Sequence, residues 1–384
     1  MELLFNYLFA ILQPFSKDGW KILSIISLFL LFKNWKFWKK DSIIISIIIF
    51  LCYDLVSSFF SENRNLAFEE MTNYAVGWLF SFVLGYSITR TKDKINLIKV
   101  YISIFIFTLF FGFLAYFYII PNQIGFMHLV EDKRIWVFDG HTILGARCNF
   151  VIISSLVLFF FHKNIKKNLI FLIIALYFIY GLLLSGTRNC YISLFITFLF
   201  MLIFYIYKNK KFIKGLCILT GLILCFSAAY LFSSNVKKRI NKTNINTDKS
   251  LTTRIDMYKF GLQLIKEKPI FGHTPKTAIN KQVDFKMLPH FHNIYIEIWV
   301  NLGIVGLILF LIIIYNIFRR LIIAYIQTKS PLPLMLIFAW IAIMISECFD
   351  CFLKSPYAAG LYFWTTGLIL DNDNSITSTE NYDK

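Results

Sequence analysis

Long apolar runs alternate with short polar breaks over most of the chain, and many of the breaks are rich in Lys and Arg. About 20 apolar residues in a helix cross the hydrocarbon core of a bilayer. The runs at 3–12 and 22–32 are shorter and flank a Pro14 to Gly19 break, which predicts a helical hairpin. Further spans are expected at 43–60, 76–88, 97–120, 145–161, 169–184, 191–207, 216–232, 298–318, 334–345 and 359–370. The pattern predicts an all-α polytopic membrane protein of about 12 transmembrane helices.

Lys and Arg in short loops mark the cytoplasmic side. Lys33, Lys36, Lys39 and Lys40, then Arg90, Lys92 and Lys94, then Lys163, Lys166 and Lys167, then Lys208, Lys210, Lys211 and Lys214, and finally Arg319 and Arg320 all fall on that side of the predicted topology. Both termini are then cytoplasmic. Four regions follow: an N-terminal transmembrane bundle at 1–232 with about nine spans, a long loop at 233–294 on the far side, C-terminal spans at 295–370, and a disordered acidic tail at 371–384.

Composition narrows the class. With 58% hydrophobic residues, 43 Phe among 384 and a mean hydropathy of +0.64, most of the apolar surface would find no core in a soluble domain. The net charge of +17 would point to nucleic acid in a soluble protein. Here it falls in cytoplasmic loops and one basic outer loop, so no nucleic-acid partner is expected and membrane lipid is. Cys348 and Cys351 have CxxC spacing but no second Cys/His pair, so neither redox nor metal chemistry is expected of them. The run at 3–12 lacks a basic lead and a small-residue cleavage site, and reads as a first helix rather than a signal peptide.

The long loop carries the candidate chemistry. Over 233–289 there are 12 Lys/Arg against 4 Asp/Glu, an excess that suits an anionic ligand or anionic head groups. Leu251, Ile255, Tyr258, Leu262 and Ile265 recur at helical spacing, with Thr252 or Thr253 as N-cap and Pro269 as stop. This predicts an amphipathic helix on the outer face. Arg254 then sits in the first turn, where the helix dipole disfavours a cation unless an anion is close. Arg188 lies in a five-residue turn, 185–189, between two apolar spans. Such a guanidinium either snorkels to the interface or faces a polar cavity. Arg147 sits a turn inside its span, and Arg134 is a loop cation. Where the loop meets the next span, His290 and His292 alternate along an extended lead-in and should point to different sides. Asn293 is a candidate N-cap, and Glu297, one turn on, should face protein or a cavity rather than lipid.

These stretches together resemble the O-antigen ligase/polymerase family of bacterial envelope glycosyltransferases. The likeness lies in Leu184-Ser185-Gly186-Thr187-Arg188, in Thr253-Arg254 through Met257-Tyr258 to Lys268-Pro269-Ile270-Phe271-Gly272, and in His292-Asn293-x-x-x-Glu297 followed by Leu302-Gly303-Ile304-Val305-Gly306. Where many members have a Gly-x-Gly turn, this chain has Gly272-His273-Thr274-Pro275. The resemblance implies an inverting transfer of a glycan from undecaprenyl pyrophosphate to an acceptor such as lipid A-core, at the periplasmic face of the inner membrane, with no metal or other cofactor. It implies that His292 is the catalytic residue and that Arg188 and Arg254 hold the pyrophosphate. Arg147, His290, Asn293, Glu297, Tyr258 and Arg134 are the further candidates for substrate contact.

The chemistry fits the implied roles. Arg forks match phosphate geometry, and a neutral imidazole can take the acceptor hydroxyl's proton. Ligase is preferred to polymerase, and the protein-glycosylating branch is disfavoured. A transporter or flippase for a lipid-linked sugar would carry its charges near mid-span, whereas the polar residues here crowd at one face.

Overall fold

The computed structural model describes residues 1–15, several positions between 21 and 30, 40–124, 127–131, 134–137, 140–161, 165–209, 220, 249–277 and 290–370. The span expected at 216–232, most of 22–32, residues 233–248 and 278–289 of the long loop, and the tail lie outside the described residues. The described helices are α1 (Glu2–Phe15), α2 (Ser42–Phe59), α3 (Arg64–Tyr74), α4 (Ser81–Tyr86), α5 (Thr91–Tyr116), α6 (His141–Phe161), α7 (Ile165–Ser185), α8 (Arg188–Asn209), α9 (Lys249–Glu267), α10 (Ile294–Thr328), α11 (Pro331–Ser346) and α12 (Pro356–Ile369). A π-helical turn, Ala75–Phe80, joins α3 to α4. Between α5 and α6 lie two antiparallel pairs of two-residue strands, β1 (Gln123–Ile124) with β2 (Met127–His128) and β3 (Val130–Glu131) with β4 (Arg134–Ile135). Among the described residues six helices, α2, α5, α6, α7, α8 and α10, are long and apolar enough to cross a membrane. The protein is an all-α polytopic membrane protein.

Helices in lipid associate by close packing rather than by the hydrophobic effect, so small residues mark the tightest crossings. At the α4–α12 crossing a Cβ on Gly85 would stand 2.1 Å from the Trp364 carbonyl, and one on Gly367 would stand 2.1 Å from the Phe82 carbonyl. Glycine on both helices lets the backbones touch. α2 and α10 run antiparallel. Asp41, the N-cap of α2, pairs with Arg320 near the C-terminal end of α10, and the guanidinium lies 5.6 Å from the Tyr86 ring centre. Towards the other end the Tyr53 hydroxyl donates to the Leu302 carbonyl (3.0 Å).

Three elements differ from what the pattern predicts. α9 begins at Lys249, before either threonine, so Arg254 falls in its second turn rather than its first. Its packed face is also rotated. Met257, Gly261, Leu264 and Ile265 are buried against Phe291, Ile296 and Val300, while Ile255 and Leu262 are exposed. The apolar spacing alone could not separate a face packed on protein from one open to lipid. α8 begins at Arg188, which leaves Gly186 (φ +68°) and Thr187 as the turn. Third, α10 is not a continuous helix: Gly303 has φ +67°, ψ −172°.

The break in α10 is where the loop after α9 docks. A Cβ at position 303 would lie 2.0 Å from the Ile270 carbonyl oxygen. The helix groups released by the break find partners in the loop: Ile304 N–H donates to Pro269 O (2.9 Å), Val305 N–H to Ile270 O (3.4 Å), and Val300 O accepts from His273 N–H (2.7 Å). Every buried backbone group needs such a partner. Beyond it, Ser61 Oγ donates to Pro275 O (2.6 Å) and Asn63 Nδ2 to Lys276 O (3.1 Å), so the loop also joins the α2–α3 corner.

Candidate active site

Asn293 caps α10, its Oδ1 accepting from Tyr295 N–H (3.0 Å) and Ile296 N–H (3.1 Å). The residues before the cap are not extended. His292 has φ +53°, a left-handed conformation uncommon for any residue but glycine. That single twist cancels the alternation. Contrary to expectation, the two imidazoles face each other, with His290 Nε2 3.1 Å from His292 Nδ1. Phe291 between them turns the other way into the small core with Met257 and Val300. Its N–H donates to Glu297 Oε2 (2.8 Å).

A third group meets the histidines from the loop between α11 and α12, residues 347–355. Asp350 Oδ1 lies 3.4 Å from His290 Nε2 and 3.4 Å from His292 Nδ1, and accepts the Cys351 N–H at 3.0 Å. Burial pushes the Asp350 carboxyl upward, but its hydrogen bonds to the two histidines hold it well below the usual carboxylate range. The two loops are bound together. Asn293 Nδ2 donates to Cys348 O (3.0 Å), Ile294 N–H to Glu347 O (3.0 Å), and the Tyr258 hydroxyl of α9 reaches both His292 O (3.0 Å) and Cys348 O (2.9 Å). Burial pushes the Tyr258 phenol up to about 12.

The candidate cations stand in different settings. Arg254 lies one helical turn before Tyr258 on α9, the spacing that puts two residues on one face, and its buried Nε meets no acceptor among the described residues. Arg188 opens α8, whose second turn meets the end of α11, where Ser346 Oγ donates to Ser193 Oγ (2.7 Å), four residues before Asp350. A guanidinium at a helix N-terminus, where the backbone N–H groups already favour anions, makes a strongly electropositive spot. Arg134 donates to His141 Nε2 (2.9 Å), and the His141 carbonyl accepts from Thr187 beside Arg188 (2.7 Å). Arg147 is buried in the bundle and donates to the Gln13 carbonyl of α1 (2.9 Å).

Glu297 faces protein, as expected. Its Oε1 receives Asn301 Nδ2 (3.3 Å) and pairs with Lys354, which also reaches Glu70 Oε2 at 2.9 Å; Lys276 reaches the same Glu70 oxygen at 2.7 Å. Burial pushes the Lys354 ammonium down, but Glu297 and Glu70 together hold it above the ordinary range for lysine. Asp350 and Lys354 are the residues that the sequence reading missed. The signal was present in a carboxylate and an ammonium within a short turn between two apolar helices, the same setting that singled out Arg188.

In this all-α polytopic membrane protein two histidines and a carboxylate meet where α10 begins and the 347–355 loop turns. Residues 171–311 match the model of a family described as O-antigen ligase, and over that stretch the chain is similar to it. That match includes Arg188, Arg254, His290, His292 and Glu297, and stops short of Asp350 and Lys354. A curated protein of Haemophilus influenzae, described as uncharacterized, is 34% identical over 182 residues, 41% of this chain and 44% of the relative. The chain thus spans less than half the length of that relative.

Proposed function

We propose that this protein is a membrane glycosyltransferase of the O-antigen ligase kind, moving a glycan from undecaprenyl pyrophosphate to lipid A-core at the periplasmic face of the inner membrane. On this reading the chain crosses the membrane about 12 times, and 233–294 is the periplasmic loop that brings α9 over the site. The supporting observation is the junction of His292, Asp350 and Tyr258 between the α10 lead-in and the 347–355 loop.

The acceptor hydroxyl attacks the anomeric carbon, the bond from that carbon to the pyrophosphate oxygen breaks, and undecaprenyl pyrophosphate leaves with the electron pair. Attack from the face opposite the leaving group inverts the configuration. Asp350 accepts from His292 Nδ1–H, which leaves the Nε2 lone pair to take the hydroxyl proton. The 3.4 Å separation is long for that bond, as is common before substrate is bound. Arg188 and Arg254 hold the pyrophosphate and stabilise the charge that grows on it, the role for which planar guanidinium forks are suited. Pyrophosphate is a good leaving group already, and the reaction asks for no metal.

The glycan profile of a strain lacking this protein tests the reading. A lost ligase leaves full-length glycan on its lipid carrier and bare core. A core bearing a single repeat would instead identify a polymerase, and carrier-linked units trapped at the cytoplasmic face would identify a flippase. Re-expression of Arg188→Ala or Arg254→Ala should leave the defect in place, while the wild-type chain restores the profile.

A further inference from the structure

His290 Nε2, His292 Nδ1 and Asp350 Oδ1 form a nearly regular triangle with sides of 3.1, 3.4 and 3.4 Å. No arrangement of hydrogens satisfies all three sides. A carboxylate carries none, and each ring nitrogen carries at most one. With a hydrogen on His292 Nδ1 alone, His290 and Asp350 confront each other with lone pairs. With one on His290 Nε2 alone, His292 and Asp350 do so. With hydrogens on both, each N–H can point to Asp350, but the two donors then face each other along the shortest side with no acceptor between them. A cation at the centre engages all three lone pairs at once.

The dimensions specify the cation. Ligand atoms at tetrahedral angles and bonds of about 2.0–2.1 Å from a zinc ion stand about 3.3 Å apart, which matches the triangle. Two imidazoles and one carboxylate favour a borderline transition ion over magnesium or calcium. The three side chains are 26%, 21% and 11% exposed, so an ion can arrive from solvent and keep an open fourth position.

We propose that these three residues form a zinc-class binding site that switches the enzyme off when occupied. Coordination at His292 Nδ1 obliges the neutral imidazole to carry its hydrogen on Nε2, where it can no longer accept the hydroxyl proton. The regulatory half of this proposal rests on the reading of His292 as the base; the binding half does not.

The test uses the purified full-length protein in lipid nanodiscs, titrated with zinc chloride by calorimetry and assayed for glycan transfer across the same titration. Wild-type protein should gain a zinc site that Asp350→Ala or His290→Ala weakens at least about tenfold. Transfer should fall along the wild-type binding curve and return on adding EDTA. Equal zinc binding by wild-type and both variants would overturn the site, and transfer unchanged or raised by bound zinc would overturn the switch. Should the zinc-free wild type show no transfer at all, the glycosyltransferase reading fails and takes the switch with it, while the calorimetry still decides the site.

Discussion

At the scale of single residues, the site depends on groups held in positions that cost free energy. His292 occupies left-handed backbone, a cost of about 1–3 kcal/mol that persists only where surrounding contacts over-determine it. Those contacts are the Asn293 cap, the buried Phe291 and the Tyr258 hydroxyl. Glu347, just beyond α11, is a second such group. It is fully buried, accepts the Leu353 N–H at 2.7 Å, and its other oxygen meets no donor among the described residues. Burial raises its carboxyl well above the ordinary carboxylate range. The folded chain therefore keeps this proton while the unfolded chain loses it, so stability falls as pH rises past the unfolded value of about 4.3. Glu347→Gln keeps the acceptor for Leu353 and has no proton to lose. Its thermal midpoint should gain on that of the wild type between about pH 5 and pH 8; parallel midpoints would mean that Glu347 is ionised in the fold.

At the scale of elements, the break in α10 and the loop that fills it form one device. Gly303 turns out of the helix, the 268–273 segment supplies the missing partners, and α9 is thereby fixed over the His292 junction. Gly303→Ala combines left-handed backbone with a methyl group driven into the Ile270 carbonyl. The variant should lose about 2 kcal/mol or more of stability and free α9 to limited proteolysis; an unchanged digestion pattern would refute the device. The sequence showed α9 and α10 as periods and lengths, and it showed the Asn293 cap and the inward-facing Glu297. It could not show the break, because one glycine in an apolar run is compatible with an unbroken helix. Nor could it show the twist at His292, which follows from contacts made across 34 residues to Tyr258 and 58 residues to Asp350.

Across the whole molecule, ion pairs bind the helices at both ends. Asp41 with Arg320 ties α2 to α10 at one end, and Glu70, Glu297, Lys276 and Lys354 join α3, α10 and two loops beside the candidate site. The helical class, the membrane setting and the Arg and His candidates were legible because they rest on local composition and spacing. The second cluster was not, since its members come from four distant parts of the chain and, Glu297 apart, each alone reads as a loop charge. Removing one partner from a buried pair costs about 3–5 kcal/mol by leaving the other uncompensated. Lys354→Met should therefore lower the thermal midpoint and depress transfer together, by loosening the loop that carries Asp350. A midpoint equal to that of the wild type would place the cluster outside the stabilising framework.

The central claim is that His292 takes the proton from the attacking hydroxyl, and single-turnover transfer by purified His292→Ala tests it most directly. With the glycan donor on undecaprenyl pyrophosphate and lipid A-core as acceptor, the variant should bind donor as the wild type does and transfer it about 10²–10⁴-fold more slowly. Transfer at the wild-type rate would contradict the account.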